Sequence, residues 1–392
     1  MRNYVFVTTA RSDFSFISSI IDYLIDNKFK GNIYLIATGI HFDKKIGYTI
    51  RNVRDYKKYK KINLIEINPY INSDEDEIDI TANILKGLNK LNLYIDVMIV
   101  LGDRYEILPI ANFATVKGIL LVHLFGGECD VSYCLDTLIR DAITKMAHIH
   151  FVSHSDIKKR LICMGEEEKR IFVIGNPSIS YINPDNYNNE IFEYLKSKKV
   201  DINKKLVNVC YHPVTTDKTL SKKELNELFK ALDEYSDFIY IWSGINNDPG
   251  SQEIKKMILS FISTRDNHFF FDNLGKQNYF SLLKNSIFMI GNSSSGLLEA
   301  ATFNLHVINI GTRQNGRLHG QNVFDVAAKS EEIIKVIRKI INKKKWNFSN
   351  PFLKPEGLGL IYSVLSKLDE YSGIKYKRLN CKEKLTLKRV NI

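Results

Sequence analysis

Short apolar runs alternate with longer amphipathic stretches along most of the chain. The short runs are rich in β-branched side chains and predict buried strands. In the first half these runs are Tyr4–Thr9, Ile33–Thr38, Val97–Leu101, Leu120–Leu124 and Ile171–Ile174. The amphipathic stretches predict helices over Ser15–Asn27, Glu77–Leu91, Glu106–Lys117 and Asp136–Met146. Strands that alternate with helices in this order predict a parallel sheet with helices on both faces.

The alternation resumes in the second half, after a stretch at 179–205 that loses its periodicity and predicts a linker. Strands are expected at Val207–Tyr211, Phe238–Trp242, Phe269–Phe271, Phe288–Ile290 and Val307–Ile310. Helices are expected at Lys222–Tyr235, Gln252–Phe261, Gln277–Leu283, Ser295–Phe303, Glu331–Ile341 and Leu360–Leu368. The fold class is therefore α/β, with two Rossmann-like doubly wound domains at 1–178 and 206–365 that face an active-site cleft. A basic tail at 366–392 follows.

Composition supports two domains, because 392 residues exceed what one hydrophobic core usually holds. Its apolar runs are too short to span a bilayer, and Tyr4–Val7 is too short for a signal peptide, so we expect a cytoplasmic protein. Five cysteines form no Cys-x-x-Cys pair, which disfavours a structural metal. The net charge is +11, but the basic segments contain no interleaved aromatic residues and the sequence contains no zinc finger, so a nucleic-acid binder is not indicated. Most of this charge is expected to be solvated surface.

The loop after the predicted strand Phe288–Ile290 is the strongest candidate for binding chemistry. It reads Gly291-Asn292-Ser293-Ser294-Ser295-Gly296 and leads into a predicted helix. Free backbone N–H groups and the positive end of a helix dipole attract anions such as phosphate. Glu299, one turn into the helix, can accept hydrogen bonds from a ribose. A plain capped turn would use the same residues, so the loop alone leaves both interpretations open.

Charged residues follow several other strands, at the edge where open α/β sheets bind their ligands. They are Arg11, Asp103, Arg104, Glu128, His212 and Arg313. Forked arginine contacts suit a diphosphate, and carboxylates with a histidine can exchange protons, so a nucleotide sugar fits the set. The first strand lacks the Gly-x-Gly-x-x-Gly pattern, which disfavours NAD. Structural interpretations remain open: Asp103 can cap the helix near Glu106 or pair with Arg104, and His212 can shape the turn before Pro213.

Several sequence blocks occur in the order typical of one enzyme family. They are Ala10-Arg11-Ser12-Asp13-Phe14-Ser15, Gly102-Asp103-Arg104-Tyr105-Glu106, His123-Leu124-Phe125-Gly126-Gly127-Glu128, Arg140-Asp141-Ala142-Ile143-Thr144-Lys145, His212-Pro213-Val214-Thr215-Thr216, Gly291-Asn292-Ser293-Ser294-Ser295-Gly296 and Gly311-Thr312-Arg313-Gln314. Through them the chain resembles the hydrolysing UDP-N-acetylglucosamine 2-epimerases. That family includes bacterial sialic-acid enzymes and the epimerase half of the animal bifunctional enzyme.

The resemblance implies a GT-B type fold with UDP bound mainly by the C-terminal domain. It also implies that the C-terminal helix and tail, 366–392, pack back on the N-terminal domain. By matching position, the implied UDP contacts are Asn246, Ser293, Ser294, Glu299 and Arg313. Arg11 and Arg104 are implied as diphosphate partners. The implied catalytic group is Asp103, Glu128, Asp136 and His212. The family needs no metal or other cofactor, and its members form dimers or tetramers, so a homo-oligomer is expected.

The implied reaction is hydrolysis of UDP-N-acetylglucosamine to UDP and N-acetylmannosamine. A base removes the C2 proton while UDP leaves C1, and water then adds to the 2-acetamidoglucal intermediate with a new C2 proton from the opposite face. The product would feed sialic-acid-type surface or capsule polysaccharide. Three alternatives stay open: the same chemistry on UDP-2,4-diacetamido-2,4,6-trideoxyglucose of the legionaminic acid pathway, a GT-B glycosyltransferase, and a nucleotide-sugar sensor without activity.

Three features depart from the family pattern near the expected sugar pocket. Phe125 stands where relatives carry Glu or His before Gly-Gly-Glu, and Asp141 stands where they carry His. The loop between Glu128 and Asp136 is about two residues longer, judged by the flanking motifs. An aromatic side chain at 125 favours a less polar sugar, which is the basis of the diacetamido alternative.

Overall fold

The structure is a computed structural model that describes residues 1–44, 48–60, 62–71, 75–128, 135–180, 182–200, 202–214, 218–245, 250–342, 347–368, 373 and 376–377. Asn246, an expected UDP contact, lies outside the described residues. The chain divides into two compact units. Unit 1 contains residues 1–128, 135–180 and the described residues from 354 onward, and unit 2 lies within 182–353.

Unit 1 is built on a parallel sheet, because its strands are apolar runs separated by amphipathic helices. The strands are β1 (Asn3–Thr8), β2 (Asn32–Ala37), β3 (Asn63–Glu66), β4 (Val97–Leu101), β5 (Leu120–Leu124), β6 (Ile149–Val152) and β7 (Ile171–Val173). The helices are α1 (Arg11–Asp26), α2 (Ile50–Lys60), α3 (Glu77–Asn89), α4 (Leu108–Val116), α5 (Leu135–Met146), α6 (Ser155–Cys163) and α7 (Pro177–Ser180). Among the described residues the strand order is β3-β2-β1-β4-β5-β6-β7.

Unit 2 repeats this plan. Its helices are α8 (Glu190–Ser197), α9 (Lys218–Asp233), α10 (Ser251–Ile262), α11 (Gly275–Asn285), α12 (Ser294–Leu298) and α13 (Ser330–Ile341). Its strands are β8 (Lys205–Cys210), β9 (Phe238–Ser243), β10 (His268–Phe271), β11 (Ser286–Gly291), β12 (His306–Ile310) and β13 (Val323–Val326). They pair in the order β10-β9-β8-β11-β12-β13 within the described part of the chain.

The bounds of the two units differ from the sequence-based ones at both ends of unit 2. Helix α8 lies in the stretch 179–205 that the sequence analysis assigned to a linker. Its buried Ile191 and Leu195 join a core cluster with Leu206 and Ile239, so this stretch is part of unit 2. Burial of one apolar helix face therefore outweighs its polar composition.

Helix α14 (Gly357–Ser366) belongs to unit 1, whereas the sequence analysis placed residues up to 365 in the second domain. Its Leu358, Ile361 and Leu365 are buried in the core cluster of α1. The Tyr4 hydroxyl donates to the Leu365 carbonyl at 2.8 Å. Helix α14 thus contributes to the apolar cover of one face of the first sheet.

In both parallel sheets the order in which the strands follow one another reverses at one point, and this confirms the prediction of two doubly wound parallel sheets. In unit 1 the chain order reverses between β1 and β4, and in unit 2 it reverses between β8 and β11. Ligands of open α/β sheets bind beside the carboxyl ends of the strands at such a point. None of the helices among the described residues is long and apolar enough to cross a membrane.

Candidate active site

In unit 2 the loops after β8 and β11 are tied together by one buried asparagine. The Asn292 side chain accepts a hydrogen bond from the His212 backbone N–H at 2.7 Å and donates to the His212 carbonyl at 2.8 Å. Gly291 has φ +138°, and a Cβ there would lie 1.9 Å from the Cys210 carbonyl oxygen. Only glycine allows this close approach, which fixes the serine loop beside His212 at the reversal point.

The loop after β12 joins the same centre. Arg313 and Gln314 both donate to the Asn292 carbonyl, at 3.2 and 2.8 Å. Gly311, with φ +73°, begins this loop, and a Cβ there would lie 2.2 Å from the Glu224 carboxylate. Three of the predicted site segments, those of His212, Ser293 and Arg313, are therefore brought together in unit 2.

The hydroxyl groups of the serine loop have different roles. Ser293 caps α12, because its hydroxyl accepts from the Ser295 N–H at 3.3 Å. The Ser295 hydroxyl accepts from the Tyr279 hydroxyl at 2.7 Å. Ser294 is half-exposed at the first helical position. The predicted helix over Ser295–Phe303 is wrong in its detail, since α12 ends at Leu298 and a separate 3-10 turn covers Ala300–Phe303.

Glu299 lies where α12 gives way to the 3-10 turn, and it is half-buried. Burial raises the pKa of its carboxyl group, while a hydrogen bond from Ser295 and the charge of Lys276 oppose the shift. Additional hydrogen-bond donors, such as the two hydroxyls of a ribose, stabilise the ionised form of a carboxylate in such surroundings. His212 has its Nε2 atom 3.4 Å from the buried Cys210 thiol.

In unit 1 the loops after β4 and β5 are joined by Arg140 of α5. Its guanidinium forms an ion pair with the Asp103 carboxylate and donates to the Glu128 carbonyl at 2.6 Å. Only 11% of the Arg140 side chain is exposed. Asp103 does not cap the following helix, because α4 begins at Leu108 without a side-chain cap. That structural interpretation of Asp103 is wrong, and the carboxylate is held at the strand end instead.

Asp136 lies in the first turn of α5, one turn before Arg140, and is exposed. Glu128 is half-buried at the end of the loop after β5. Arg140 is a candidate residue that the sequence analysis did not single out. Its position four residues after Asp136 in a predicted helix was a usable signal, because that spacing places both side chains on one helix face.

Arg104 is held by Glu106 and not by Asp103. Its guanidinium donates to both Glu106 carboxylate oxygens, at 2.8 and 3.2 Å, and the Glu106 side chain is fully buried. Arg11 is exposed and is the first residue of α1, which begins four residues earlier than predicted from Ser15. Both arginines follow strands β1 and β4, which flank the reversal point of the first sheet.

Two buried histidines support these strand ends. His123 has Nε2 2.8 Å from the Gly102 carbonyl oxygen, and His41 has Nε2 2.9 Å from the Thr8 hydroxyl. Burial lowers the pKa of His123 to about 3 and that of His41 to about 4. Both imidazoles are therefore neutral near pH 7. Within the described ranges, no group of three or more His, Cys, Asp or Glu side chains could hold a metal ion.

Comparison with known proteins identifies relatives over nearly the whole chain. The sequence model of the UDP-N-acetylglucosamine 2-epimerase family matches residues 25–366. A Campylobacter jejuni protein named GDP/UDP-N,N'-diacetylbacillosamine 2-epimerase (hydrolyzing) is 36% identical over 301 residues, covering 75% of this chain and 76% of the relative. A Legionella pneumophila protein named UDP-N,N'-diacetylbacillosamine 2-epimerase (hydrolyzing) is 30% identical over 387 residues, covering 96% and 99%.

Solved structures share the fold at lower sequence identity. The structure of the Methanocaldococcus jannaschii UDP-GlcNAc 2-epimerase in complex with UDP-GlcNAc and UDP superposes with a TM-score of 0.72. It is 20% identical and covers 94% of this chain and 100% of its own. This likeness shows a shared two-domain α/β fold of the GT-B type.

Proposed function

The chain belongs to the UDP-N-acetylglucosamine 2-epimerase family and is a hydrolysing UDP-sugar 2-epimerase, and we propose that its sugar substrate is UDP-2,4-diacetamido-2,4,6-trideoxyglucose. This sugar is N,N'-diacetylbacillosamine, which the names of the Campylobacter and Legionella relatives specify. The products would be UDP and the free 2,4-diacetamido-2,4,6-trideoxymannose, a precursor suited to nine-carbon acidic sugars of the legionaminic acid type.

UDP binds unit 2 in this proposal. Ser293, Ser294, Glu299 and Arg313 contact the nucleotide, and the support for this is the tight joining of their loops through Asn292. The backbone N–H groups at the start of α12 and the Arg313 guanidinium favour the negative diphosphate. Arg11 and Arg104 of unit 1 are proposed to neutralise further diphosphate charge as UDP leaves. Asn246 stays a prediction from sequence.

Proton transfer falls to the carboxylates of unit 1 and to His212. A base removes the C2 proton while the C1–oxygen bond to UDP breaks, which leaves a C1–C2 double bond. Water then adds its hydroxyl to C1, and an acid delivers a proton to C2 on the opposite face. The carboxylates proposed for these steps are Asp103, Glu128 and Asp136. The C2 proton has no adjacent carbonyl to acidify it, so stabilisation of the departing diphosphate must supply much of the lowering of the barrier.

The choice of sugar is supported by Phe125. Its ring packs edge-on against Phe16 with 5.4 Å between centroids, at the end of β5 just before Gly126 and Glu128. Apolar ring surface suits a C6 methyl group and a C4 acetamido group better than the two hydroxyls that N-acetylglucosamine carries there. UDP-N-acetylglucosamine is the second candidate substrate, favoured by the family to which the chain belongs.

The test is a direct comparison of both UDP-sugars in deuterated water. We expect UDP release and a free sugar with deuterium at C2 from each active substrate, with the larger kcat/KM for the diacetamido compound. A larger kcat/KM for UDP-N-acetylglucosamine would reverse the choice of sugar. UDP-sugar consumption that requires an acceptor, or no consumption at all, would exclude the proposed reaction.

A further inference from the structure

The Asp141 side chain, which departs from the family pattern, forms a forked ion pair within unit 1. Its two carboxylate oxygens accept hydrogen bonds from Nη1 and Nη2 of Arg160 in α6, each at 2.9 Å. Two parallel hydrogen bonds fix the plane of a guanidinium, unlike a single contact. Arg160 Nη1 also donates to the Gly127 carbonyl at 3.0 Å. The pair therefore connects two helices, α5 and α6, to the loop at 125–128 that follows β5, here called the glycine loop.

That glycine loop has a backbone that needs support. Phe125 has φ +60° and Gly127 has φ +78°. A non-glycine residue in the left-handed region is a strained conformation that surrounding contacts must maintain. The backbone of Gly127 lies against α6, because a Cβ there would be 2.5 Å from a methyl carbon of Leu161. The next residue in the loop is Glu128.

Two arginines hold consecutive carbonyls of this loop. Arg160 binds the Gly127 carbonyl, and Arg140 binds the Glu128 carbonyl while it pairs with Asp103. Arg140 thus connects the loop to a proposed catalytic carboxylate. Arg160 connects it to Asp141 on α5, and the two side chains are 28% and 31% exposed. Loss of the Arg140 side chain would therefore disturb Asp103 as well as the loop, whereas loss of the Arg160 side chain would leave the Asp103 pair in place.

We propose that Arg160, oriented by Asp141, is a positioning residue that holds the glycine loop in the conformation that presents Glu128 to the sugar. This inference rests on the proposed role of Glu128 in proton transfer. Neither Arg160 nor Asp141 contacts the substrate in this proposal. Loss of the pair allows the Phe125–Gly127 backbone to relax, and a displacement on the order of 1 Å at a catalytic group can lower a rate about a hundredfold.

The test compares Arg160→Ala, Asp141→Asn and the double variant. We expect kcat to fall about ten- to a hundredfold in each, with KM and the Kd for UDP within about twofold of the wild type. Because Asp141 acts through Arg160, the double variant should lose no more activity than Arg160→Ala alone. Arg160→Lys keeps the charge without the fork and should give an intermediate kcat.

The matched control is Arg265→Ala in unit 2. Arg265 also forms a fork, with Asp233 at 2.7 and 2.8 Å, and also donates to a backbone carbonyl, that of Phe261. The Arg265→Ala variant should change the unfolding temperature by about as much as Arg160→Ala does and leave kcat unchanged. Wild-type kcat in Arg160→Ala, or additive losses in the double variant, would overturn the positioning role. Glu128→Gln is measured alongside: if it retains wild-type kcat, the proposed role of Glu128 fails instead.

Discussion

At the level of single residues, Phe125 combines a left-handed backbone with an aromatic contact beside the proposed acid–base group. We predict that Phe125→His lowers kcat/KM for the diacetamido substrate relative to UDP-N-acetylglucosamine by roughly 10- to 100-fold, because apolar contact with the sugar is lost. Histidine tolerates the left-handed region comparatively well, so the fold should be retained. Competition kinetics with both substrates measure the ratio. Phe113→His, on α4, is the control, and an unchanged ratio in Phe125→His would remove residue 125 from sugar selection.

Asp103 offers a second test at this scale. Asp103→Asn removes the charge that pairs with Arg140 and the ability to exchange a proton, so we predict a loss of roughly 10²–10⁴ in kcat. UDP affinity should stay within about twofold, because Asp103 is not among the proposed nucleotide contacts. Initial rates and calorimetry with UDP measure the two quantities. The control is Asp156→Asn, an exposed carboxylate paired with Lys159 at 2.8 Å. Comparable kcat in both variants would exclude Asp103 from catalysis.

Most of the candidate residues could be selected from the sequence because they follow strands, whereas their hydrogen-bond partners could not. Arg140 and Asn292 act through contacts with residues far away in the chain, 37 positions from Arg140 to Asp103 and 80 from Asn292 to His212. No periodicity or local spacing encodes such pairings. The pairing of Arg104 with Glu106 instead of Asp103 was equally hidden, since both carboxylates are near neighbours in sequence.

At the level of elements, two central strands were predicted most accurately. Strands β4 and β5 have the predicted bounds, because both of their faces are buried and the apolar signal is continuous. The central strand β6, which is four residues long, was missed. The edge strands β3 and β13 were also missed. Each of these two pairs with one neighbour among the described strands and carries exposed polar residues, so its apolar pattern is weak. The lysine-rich helix α2 was missed because its composition indicates a polar loop.

The loop between β11 and α12 is the element on which nucleotide binding depends. We predict that Ser294→Ala and Arg313→Ala each weaken UDP binding about ten- to a hundredfold, since hydrogen bonds to charged groups contribute roughly 1.5–3 kcal/mol. Isothermal titration calorimetry with UDP measures the change. Ser263→Ala at the exposed end of α10 is the control. Unchanged affinity in both site variants would place the nucleotide elsewhere.

At the level of the whole molecule, two α/β units were predictable from the repeated alternation, but their bounds were not. The chain enters unit 2 before α8 and returns to unit 1 for α14. Which unit each helix joins depends on which hydrophobic core its apolar face packs against. Gly357 illustrates this, because a Cβ there would lie 1.9 Å from the Ile174 carbonyl oxygen. Such a packing site exists only once the first sheet and α1 are folded.

The buried histidines make the free energy of unfolding of the whole molecule depend on pH, and they lower it in acid. The ordinary histidine pKa is 6.5, and burial lowers it to about 4 in His41 and about 3 in His123. Between those values the unfolded chain binds more protons than the folded one. The stabilisation of the folded state that comes from these neutral histidines is therefore complete above pH 6.5, and it is lost as the pH falls toward their folded-state pKa values. Linkage gives a loss of about 2 kcal/mol in the free energy of unfolding at pH 5 for each of the two residues.

We therefore predict that His123→Asn removes about 2 kcal/mol of the difference in unfolding free energy between pH 7.5 and pH 5.0. Urea unfolding followed by circular dichroism at both pH values measures it. Thr144→Val is the matched control, because it removes the hydroxyl 3.2 Å from His123 Nδ1 but keeps the titrating ring. It should lower stability at both pH values and leave their difference intact. An equal pH dependence in His123→Asn and the wild type would mean that His123 is already protonated in the folded state, and that burial does not hold it neutral.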